Sequence, residues 1–368
     1  MIEAENLRLA FWKASRGKRC RDDQRAYEAN LGAELEKMRD GLIDGTYPVG
    51  RYERFTVYEP KERIICAAAF SERVLHHALM NVIEPWLEKW LIFDIYACRK
   101  GKGQLRAVKR AQAFAHCHTW FLKCDFRKYF DSIPQDGLMR MVERRFKDKQ
   151  LIDWIGRIIV TYETTPGHGL PIGNLTSQHL ANLYLDPLDR LLPGVPYVRY
   201  MDDFVFWADE KDTLKKIRAE VICFAEVKLG LSLKGEPSIN RTSHGMDFLG
   251  MRVFPDVIRL NRASKKRYMG KASLYARLFD QGLWNEQGYQ ERITALTAFT
   301  QQADATAWRR SFFSGIGDKR RGATACCAAG AGTTMRRTAV LPTGTTTTRP
   351  TRTTTTASAS SHPQHRKT

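Results

Sequence analysis

The sequence predicts an α+β fold in which helices pack on an antiparallel sheet. Segments with apolar residues at three- and four-residue spacing alternate with short runs rich in β-branched and aromatic residues. Two of these strand-like runs end in aspartates, at residue 125 and at residues 202–203. Hydrophobic residues make up 43% of the 368 residues, which is ample material for a buried core.

The predicted elements follow from local periodicity and turn residues. Helical spacing predicts helices over 1–45 (with a break near Gly45), 71–90, 135–145, 174–192, 214–229 and most of 262–316. The pair Pro193-Gly194 is expected to end the helix over 174–192. Strand patterns predict a hairpin over 51–66, a strand over 118–125, a strand–turn–strand hairpin over 197–208 and a further hairpin over 245–260.

The charge balance indicates a polyanionic partner. Lys and Arg number 59 against 40 acids, a formal net charge of +19, which is most typical of nucleic-acid binding, although anionic membranes also attract basic proteins. No stretch approaches the roughly 18 uncharged apolar residues of a membrane span, and the first residues lack the order of a signal peptide. The eight cysteines form no CxxC pair, which is typical of a reducing cytosol and predicts a cytoplasmic protein.

The C-terminal residues differ in composition from the rest of the chain. Residues 321–368 hold seven Lys or Arg and 15 Thr but no acid and no Phe, Tyr, Trp or Ile. Such a stretch buries too little apolar surface to offset its ordering entropy, so residues 319–368 are predicted to be disordered. A second interpretation comes from the Thr codons, because a frame shifted by one nucleotide permits runs of four Asn at 345–348 and 353–356.

Two groups of carboxylates are the candidate reactive residues. The run YMDDF (200–204) sets two adjacent aspartates between apolar strands, and Asp125 ends another apolar strand. Burying adjacent carboxylates is costly unless a cation compensates them, although an Asp-Asp pair alone is also an ordinary solvated turn. We expect both groups at sheet edges, where Asp125, Asp202 and Asp203 would hold two Mg²⁺ ions, or Mn²⁺, for in-line nucleotidyl transfer.

The blocks around these aspartates resemble those of reverse transcriptases, in the family's order, over roughly residues 55–255. Asp125 matches the first catalytic aspartate, and YMDD matches the hallmark tetrapeptide, with Asp202 as a metal ligand and Asp203 beside it. The resemblance also assigns the Phe126 carbonyl as a further metal ligand, Phe130 as the bulky residue that excludes a 2′-hydroxyl, and FLG (248–250) as the primer-grip hairpin.

The resemblance implies a right-hand polymerase that performs RNA-templated DNA synthesis. The domains would be N-terminal helices and fingers over 1–115, a palm over 116–255, a helical thumb over 256–318 and the tail over 319–368. Basic residues of the fingers are expected to contact template and triphosphate: Lys61, Arg63, Arg99, Lys100 and Lys102. On the thumb, Lys265–Arg267 and Lys271 would grip the duplex backbone. Lys234 is the candidate general acid for the leaving pyrophosphate, although Pro237 occupies an alternative register for that residue.

One block indicates a branch of the family. GLPIGNLTSQ (169–178) stands where most reverse transcriptases carry QGxxxSP, with Ile172 in place of Gln and Gln178 in place of Pro. The IGxxxSQ form is characteristic of reverse transcriptases of diversity-generating retroelements, which copy a template repeat with errors at adenines. Ile172 would lack a polar contact that checks base geometry, Gly173 would let the backbone approach the template base, and Gln178 would lie near the nascent pair. The alternative is that this segment simply packs against the palm.

The resemblance implies template RNA, a DNA primer and dNTPs as partners, together with a small basic accessory protein. It also offers an origin for the tail, as an off-frame reading of the template repeat with AAC codons as mutable sites. The alternative is a low-complexity basic tail. Two other functions stay open: a group II intron or retron-type reverse transcriptase, against which the IGNLTSQ block argues, and a catalytically silent RNA-binding scaffold, against which the intact aspartates argue.

Overall fold

The computed structural model describes residues 1–17, 21–58 and 62–316, which belong to one compact unit. Its helices are α1 (Ala4–Ser15), α2 (Asp22–Ala29), α3 (Leu31–Ile43), α4 (Phe70–Trp90), α5 (Gln104–Cys117), α6 (Tyr129–Ser132), α7 (Gln135–Arg145), α8 (Lys149–Ile159), α9 (Leu175–Tyr184), α10 (Asp186–Asp189), α11 (Lys211–Leu229), α12 (Arg262–Asp280), α13 (Glu286–Thr300) and α14 (Thr306–Ile316). Its strands are β1 (Tyr52–Val57), β2 (Arg63–Ala68), β3 (Trp120–Asp125), β4 (Tyr197–Tyr200), β5 (Asp203–Ala208), β6 (Ser238–Arg241), β7 (Met246–Phe248), β8 (Met251–Val253) and β9 (Ile258–Leu260). Lys61 and the predicted tail lie outside the described residues.

The strands form three antiparallel sheets, as the α+β prediction requires. β1 and β2 make a hairpin, β7–β9 make a three-stranded sheet, and a four-stranded sheet has the order β4-β5-β3-β6. The strands that carry the aspartates, β3 and β5, are therefore the central pair. The expectation that the carboxylates lie at sheet edges is wrong: they lie at the ends of two central strands, whose backbones are held from both sides.

Both faces of the four-stranded sheet are buried at β5, which explains the nearly continuous apolar run of this strand, whereas the edge strand β6 is mostly exposed. Phe204 and Phe206 point into the main core, together with side chains of α4, α8 and α9. Val205 and Trp207 point the opposite way, into a second core shared with α5 and the β7–β9 sheet. A third, smaller core joins α12 and α13. Within the described ranges, no helix has the length and apolarity needed to cross a bilayer.

Most predicted elements are confirmed, with two corrections. The expected single helix over 174–192 is wrong, because α9 ends at Tyr184 and α10 is a separate short helix. Pro187 is the cause: inside a continuous helix it would lose a hydrogen bond and its ring would clash with the Leu183 carbonyl, whereas it is tolerated in the first turn of α10.

The second correction concerns 245–260, which is a three-stranded sheet and not a hairpin. Leu249 and Gly250 both adopt positive φ, at 50° and 81°, and make the tight turn between β7 and β8. A second turn follows, in which the Phe254 N–H donates to the Val257 carbonyl at 2.9 Å, and it returns the chain as β9. The sequence pattern predicted one hairpin for this segment and did not include the second turn and β9.

Candidate active site

The pairing of β3 with β5 brings the predicted carboxylates together. Asp125, the last residue of β3, lies directly opposite Asp203, the first residue of β5. Asp202 precedes it in the two-residue turn between β4 and β5, where Met201 has a positive φ of 59°. A left-handed conformation costs a non-glycine residue roughly 1–2 kcal/mol. The turn is therefore held by its surroundings, and it places three carboxylates at one end of the central strands.

Asp203 has the most unusual environment of the three. Burial raises its pKa to about 7, and the nearby negative charges of Asp125 and Asp202 act in the same direction. The Lys123 ammonium lies 3.2 Å from its Oδ2 and opposes this rise, while its Oδ1 is buried without a hydrogen-bond partner. An orphaned buried carboxylate oxygen is an acceptor that a cation would satisfy.

The donor set fits a divalent cation that the substrate helps to hold. In the described part of the chain, no three His, Cys, Asp or Glu side chains are arranged so that they could hold a metal ion by themselves. Mg²⁺ does not need such a group, because proteins commonly bind it through one or two carboxylates while waters and substrate phosphates complete the octahedron. Asp125, Asp202 and Asp203 supply such carboxylates, and their oxygens are of the hard type that this ion prefers.

A segment after α11 runs beside Asp125 and carries Lys234. The Lys234 N–H donates to the Asp125 carbonyl at 2.8 Å, and the Arg127 N–H donates to the Ser232 carbonyl at 2.9 Å. The Lys234 ammonium lies 3.4 Å from Asp125 Oδ2, so the candidate general acid is adjacent to the carboxylates. These two backbone hydrogen bonds are made by Asp125 and Arg127, the residues on either side of Phe126. The role of the Phe126 carbonyl as a metal ligand stays a prediction.

Lys123 is a site residue that the sequence analysis missed. Besides its contact with Asp203, its ammonium donates to the Asp247 carbonyl at 2.7 Å and lies 5.9 Å from the centre of the Phe248 ring. It thus joins the candidate catalytic carboxylates to the predicted primer-grip hairpin. The available signal was strand periodicity, because Lys123 is two residues before Asp125 and so shares its face of β3.

The IGNLTSQ block packs against the β1–β2 hairpin. The Cys66 N–H of β2 donates to the Ile172 carbonyl at 2.7 Å. Gly173 has a φ of 115°, and a Cβ there would stand 2.9 Å from both the Cys66 carbonyl oxygen and a methyl group of Ile65. This close approach to β2 explains the glycine, and the expected approach to a template base stays a prediction.

Other residues of this block face inward. Gln178 accepts a hydrogen bond from the Cys98 thiol at 3.1 Å, which connects α9 to the loop after α4. Ser177 is buried, and its hydroxyl has no hydrogen-bond partner. The packing interpretation of the segment is therefore supported for Ser177, while Gln178 lies half-buried between the two elements.

The basic residues of the fingers separate into two groups. Arg99 donates to the Glu88 carboxylate at 2.9 Å and to the Ile92 carbonyl at 2.6 Å, and its side chain is only 8% exposed. These contacts make it a structural residue here, and the expectation that it contacts template or triphosphate is not supported. Arg63 is exposed on β2, and Lys100 is 74% exposed although it lies 3.3 Å from a Glu84 oxygen.

Three further predictions can be placed. Lys102 donates to the Phe93 carbonyl at 2.9 Å and lies over that ring, so it is also engaged within the chain. Phe130 is half-buried on α6 and packs edge-on against Tyr129 at 5.7 Å between ring centres. The predicted duplex-gripping residues lie in the first half of α12, where Lys266 is exposed.

Comparison with known proteins identifies the class of protein. The family described as "Reverse transcriptase (RNA-dependent DNA polymerase)" matches residues 59–253, which is more than half of the chain. The chain therefore belongs to the reverse transcriptase family. The matched region includes all three carboxylates, the IGNLTSQ block and the β7–β8 turn.

Individual proteins and solved structures are similar to parts of this chain. "Protein YkfC" of Escherichia coli (strain K12) is 26% identical over 278 residues, covering 61% of this chain and 72% of that protein. The "Group II intron-encoded protein LtrA" of Lactococcus lactis subsp. cremoris is 24% identical over 169 residues, covering 43% of this chain and 28% of that protein. Among solved structures, apo telomerase from Candida tropicalis superposes with a TM-score of 0.48 and 12% identity, covering 78% of this chain and 66% of that one.

Proposed function

We propose that the chain is an RNA-directed DNA polymerase whose active site is formed by Asp125, Asp202 and Asp203. The observation that carries the proposal is the register of β3 and β5, which sets Asp125 opposite Asp203 with Asp202 in the adjoining turn. Membership of the reverse transcriptase family supports the reaction class. The net charge of +19 fits a protein that holds an RNA–DNA duplex.

In this proposal a primer 3′-hydroxyl displaces pyrophosphate from the α-phosphate of a dNTP. The three carboxylates would hold Mg²⁺, or Mn²⁺, which stabilises charge on the attacking and leaving oxygens when it is bound. Lys234 would give a proton to the departing pyrophosphate, since its ammonium already lies 3.4 Å from Asp125. Phe130 would close the floor of the sugar pocket and exclude a 2′-hydroxyl.

Primer extension on an RNA template tests this function. We expect Asp202→Ala and Asp125→Asn each to lower the rate at least about 1000-fold, because a lost metal ligand removes several kcal/mol of transition-state stabilisation. Asp209→Asn is the matched control, since this aspartate follows the far end of β5 and its side chain is 67% exposed. A wild-type protein no faster than Asp202→Ala, with cognate RNA and accessory protein present, would exclude the polymerase.

We further propose that the enzyme belongs to a diversity-generating retroelement and copies a template repeat with errors at adenines. Support comes from the IGNLTSQ sequence and from its contacts, because the Ile172 carbonyl is bonded to β2 while Gln178 contacts Cys98. We expect a residue at this position, between the β1–β2 hairpin and α9, to affect how strictly the geometry of a nascent base pair is checked. Template RNA, a DNA primer, dNTPs and a small accessory protein are the proposed partners.

Sequencing the extension products tests this branch. We expect misincorporation concentrated opposite template adenines, and we expect Ile172→Gln to reduce it several-fold, whereas Ile43→Gln, on the exposed end of α3, leaves it unchanged. Errors spread evenly over the four template bases would instead favour the second candidate, an intron-type reverse transcriptase. The similarity to the group II intron-encoded protein LtrA is the observation that supports this second candidate.

We propose a cytoplasmic location for the enzyme. The described cysteines are all unpaired: Cys66, Cys98, Cys117, Cys124 and Cys223. Free thiols are typical of a reducing compartment. Fractionation of cells that express the full chain tests the location, and recovery with the membrane pellet in high salt would contradict it.

A further inference from the structure

A buried ion pair lies directly behind the catalytic turn. Arg199 of β4 and Asp189 of α10 both have side chains that are 0% exposed, and Tyr197 adds a hydrogen bond to the same carboxylate at 2.7 Å. Arg199 is two residues before Met201, the turn residue with positive φ. Burying a charged pair is expensive, and apolar residues of similar volume often serve stability as well or better. Stability alone is therefore a weak reason for this pair.

Every N–H of the Arg199 guanidinium has an acceptor. Nε and Nη2 donate to the two oxygens of Asp189, both at 2.6 Å. Nη2 also donates to the Asn182 carbonyl at 3.2 Å, and Nη1 donates to Asn182 Oδ1 at 2.9 Å. The second Nη1 bond goes to the Met201 carbonyl at 3.0 Å. This last bond is the only one of the five that reaches the catalytic turn.

The bond to Met201 acts on the peptide unit that enters Asp202. The Met201 carbonyl and the Asp202 N–H belong to one planar peptide, so fixing the carbonyl fixes the direction from which the Asp202 backbone begins. Met201 is in a left-handed conformation that a non-glycine residue adopts only when its surroundings hold it. The bidentate ion pair with Asp189, at 2.6 Å, fixes the Arg199 guanidinium, so that its bond to the Met201 carbonyl can hold this conformation.

The same network extends to the helix that carries Gln178. Asn182 lies one turn after Gln178 on α9, and its amide donates to the Ala97 carbonyl at 2.8 Å. Ala97 is followed by Cys98, whose thiol donates to Gln178. Asn182 therefore contacts both the guanidinium and the loop that meets the IGNLTSQ segment.

We propose that Arg199, clamped by Asp189 and Asn182, is a positioning residue that holds the Met201–Asp202 peptide so that the Asp202 carboxylate meets the catalytic cation. The proposal rests on the proposed function for its consequence in catalysis. Its structural content, the placement of a metal-binding carboxylate, can be tested without catalysis. Arg199 touches neither substrate nor cation and acts only through the turn.

Arg199→Lys is the variant that tests the proposal. Lysine keeps the positive charge beside Asp189 but has one nitrogen in place of three, so it cannot hold Asp189, Asn182 and the Met201 carbonyl together. The matched control is Arg145→Lys, because Arg145 pairs at 2.6 Å with Asp186, which is also buried and also on α10. Among the described residues, the hydrogen bonds and ion pairs of that pair do not involve the catalytic turn. The control therefore reports the general cost of an Arg-to-Lys change opposite a buried α10 carboxylate, although Arg145 is 31% exposed and Asp186 also pairs with Arg190.

The first measurement is Mn²⁺ binding to the full chain, followed by the electron paramagnetic resonance signal of the free ion. We expect Arg199→Lys to weaken Mn²⁺ binding about fivefold or more, Arg145→Lys to leave it within twofold of wild type, and both variants to lower the melting temperature. An affinity unchanged in Arg199→Lys would overturn the proposal. If this variant does not fold, Asn182→Ala is measured in its place, since it removes the Asn182 side-chain bond to Arg199 and keeps the ion pair with Asp189. An unchanged Mn²⁺ affinity in Asn182→Ala would also overturn the proposal.

The second measurement is primer extension as a function of Mg²⁺ concentration. We expect Arg199→Lys to raise the Mg²⁺ concentration for half-maximal rate and to lower kcat about tenfold, while KM for dNTP changes less than twofold. A lower kcat with an unshifted Mg²⁺ midpoint would show a merely structural role. An inactive wild type that still binds Mn²⁺ through Asp202 would refute the proposed polymerase but not the positioning by Arg199, so the two failures are distinguishable.

Discussion

Replacing Asp203 by Asn should stabilise the protein while it removes one of the three carboxylates proposed to bind the metal. Burial raises the pKa of this carboxyl from its ordinary 3.8 to about 7. At pH values between these two, the Asp203 carboxyl keeps its proton in the folded protein but has released it in the unfolded chain. Stability in the absence of metal therefore falls as the pH rises from about 4 to about 7. An amide, which carries no charge at any of these pH values, removes that dependence.

The size of the effect follows from the pKa. A rise from 3.8 to about 7 corresponds to about 4 kcal/mol of lost stability above pH 7. This figure is a ceiling, because the side chain keeps 21% of its surface exposed and because the substitution takes the carboxylate away from Lys123. We therefore expect Asp203→Asn to gain about 2 kcal/mol at pH 8 but only about 0.5 kcal/mol at pH 4.5, which is less than one unit above the ordinary pKa of 3.8.

Urea unfolding followed by tryptophan fluorescence, at pH 4.5 and pH 8 in EDTA, measures this difference. Asp44→Asn is the control, since it makes the same change of carboxylate to amide at an exposed residue that follows α3, and we expect it to change stability equally at the two pH values. Mg²⁺ added at pH 8 should stabilise wild type more than Asp203→Asn, because the ion binds only the folded site. Equal stabilities of wild type and Asp203→Asn at both pH values would refute the reasoning.

Two further predictions concern packing at Gly173 and the half-buried His77. Gly173→Ala should lower the free energy of unfolding by about 2–4 kcal/mol, because its Cβ would stand 2.9 Å from β2 at a φ of 115°. We also expect this variant to raise KM for dNTP. Gly167→Ala, whose Cβ would have nothing within 4 Å, should lower the free energy of unfolding by only about 1 kcal/mol in the same assay. Burial, with the charge of Arg73, lowers the pKa of His77 to about 4, so the unfolded chain binds more protons and stability should fall as the pH drops from about 6.5 to 4. His77→Gln should flatten this part of the pH profile, and an unchanged profile would contradict the assignment.

The sequence predicted those parts of the fold in which local pattern and tertiary structure agree. The helix over Gln135–Arg145 and the hairpin around the YMDD turn were predictable because their apolar spacing matches the faces that they bury. The pairing of Asp125 with Asp203 joins residues far apart in the chain. We expected these carboxylates to share a metal site, from their positions beside apolar strands and from the resemblance to reverse transcriptases, but the strand register was not predicted.

Other features could not be predicted because they depend on distant partners. Arg99 resembles a surface cation in the sequence, yet carbonyls from the loop after α4 and the Glu88 carboxylate surround it. Arg199 precedes the hallmark turn and gives no sign that its acceptors, Asp189 and Asn182, arrive from two different helices. Periodicity describes which face a residue occupies, but it does not say which polar groups meet there.

The bond between the Cys66 N–H and the Ile172 carbonyl has a mechanical consequence. Because Gly173 also packs closely against β2, the tip of the IGNLTSQ loop is attached to the β1–β2 hairpin at two adjacent residues. Any movement of the hairpin must carry residue 172 with it or break that bond. In the proposed function, such a coupling would make fidelity sensitive to substitutions in β2 that alter no residue proposed to meet a base.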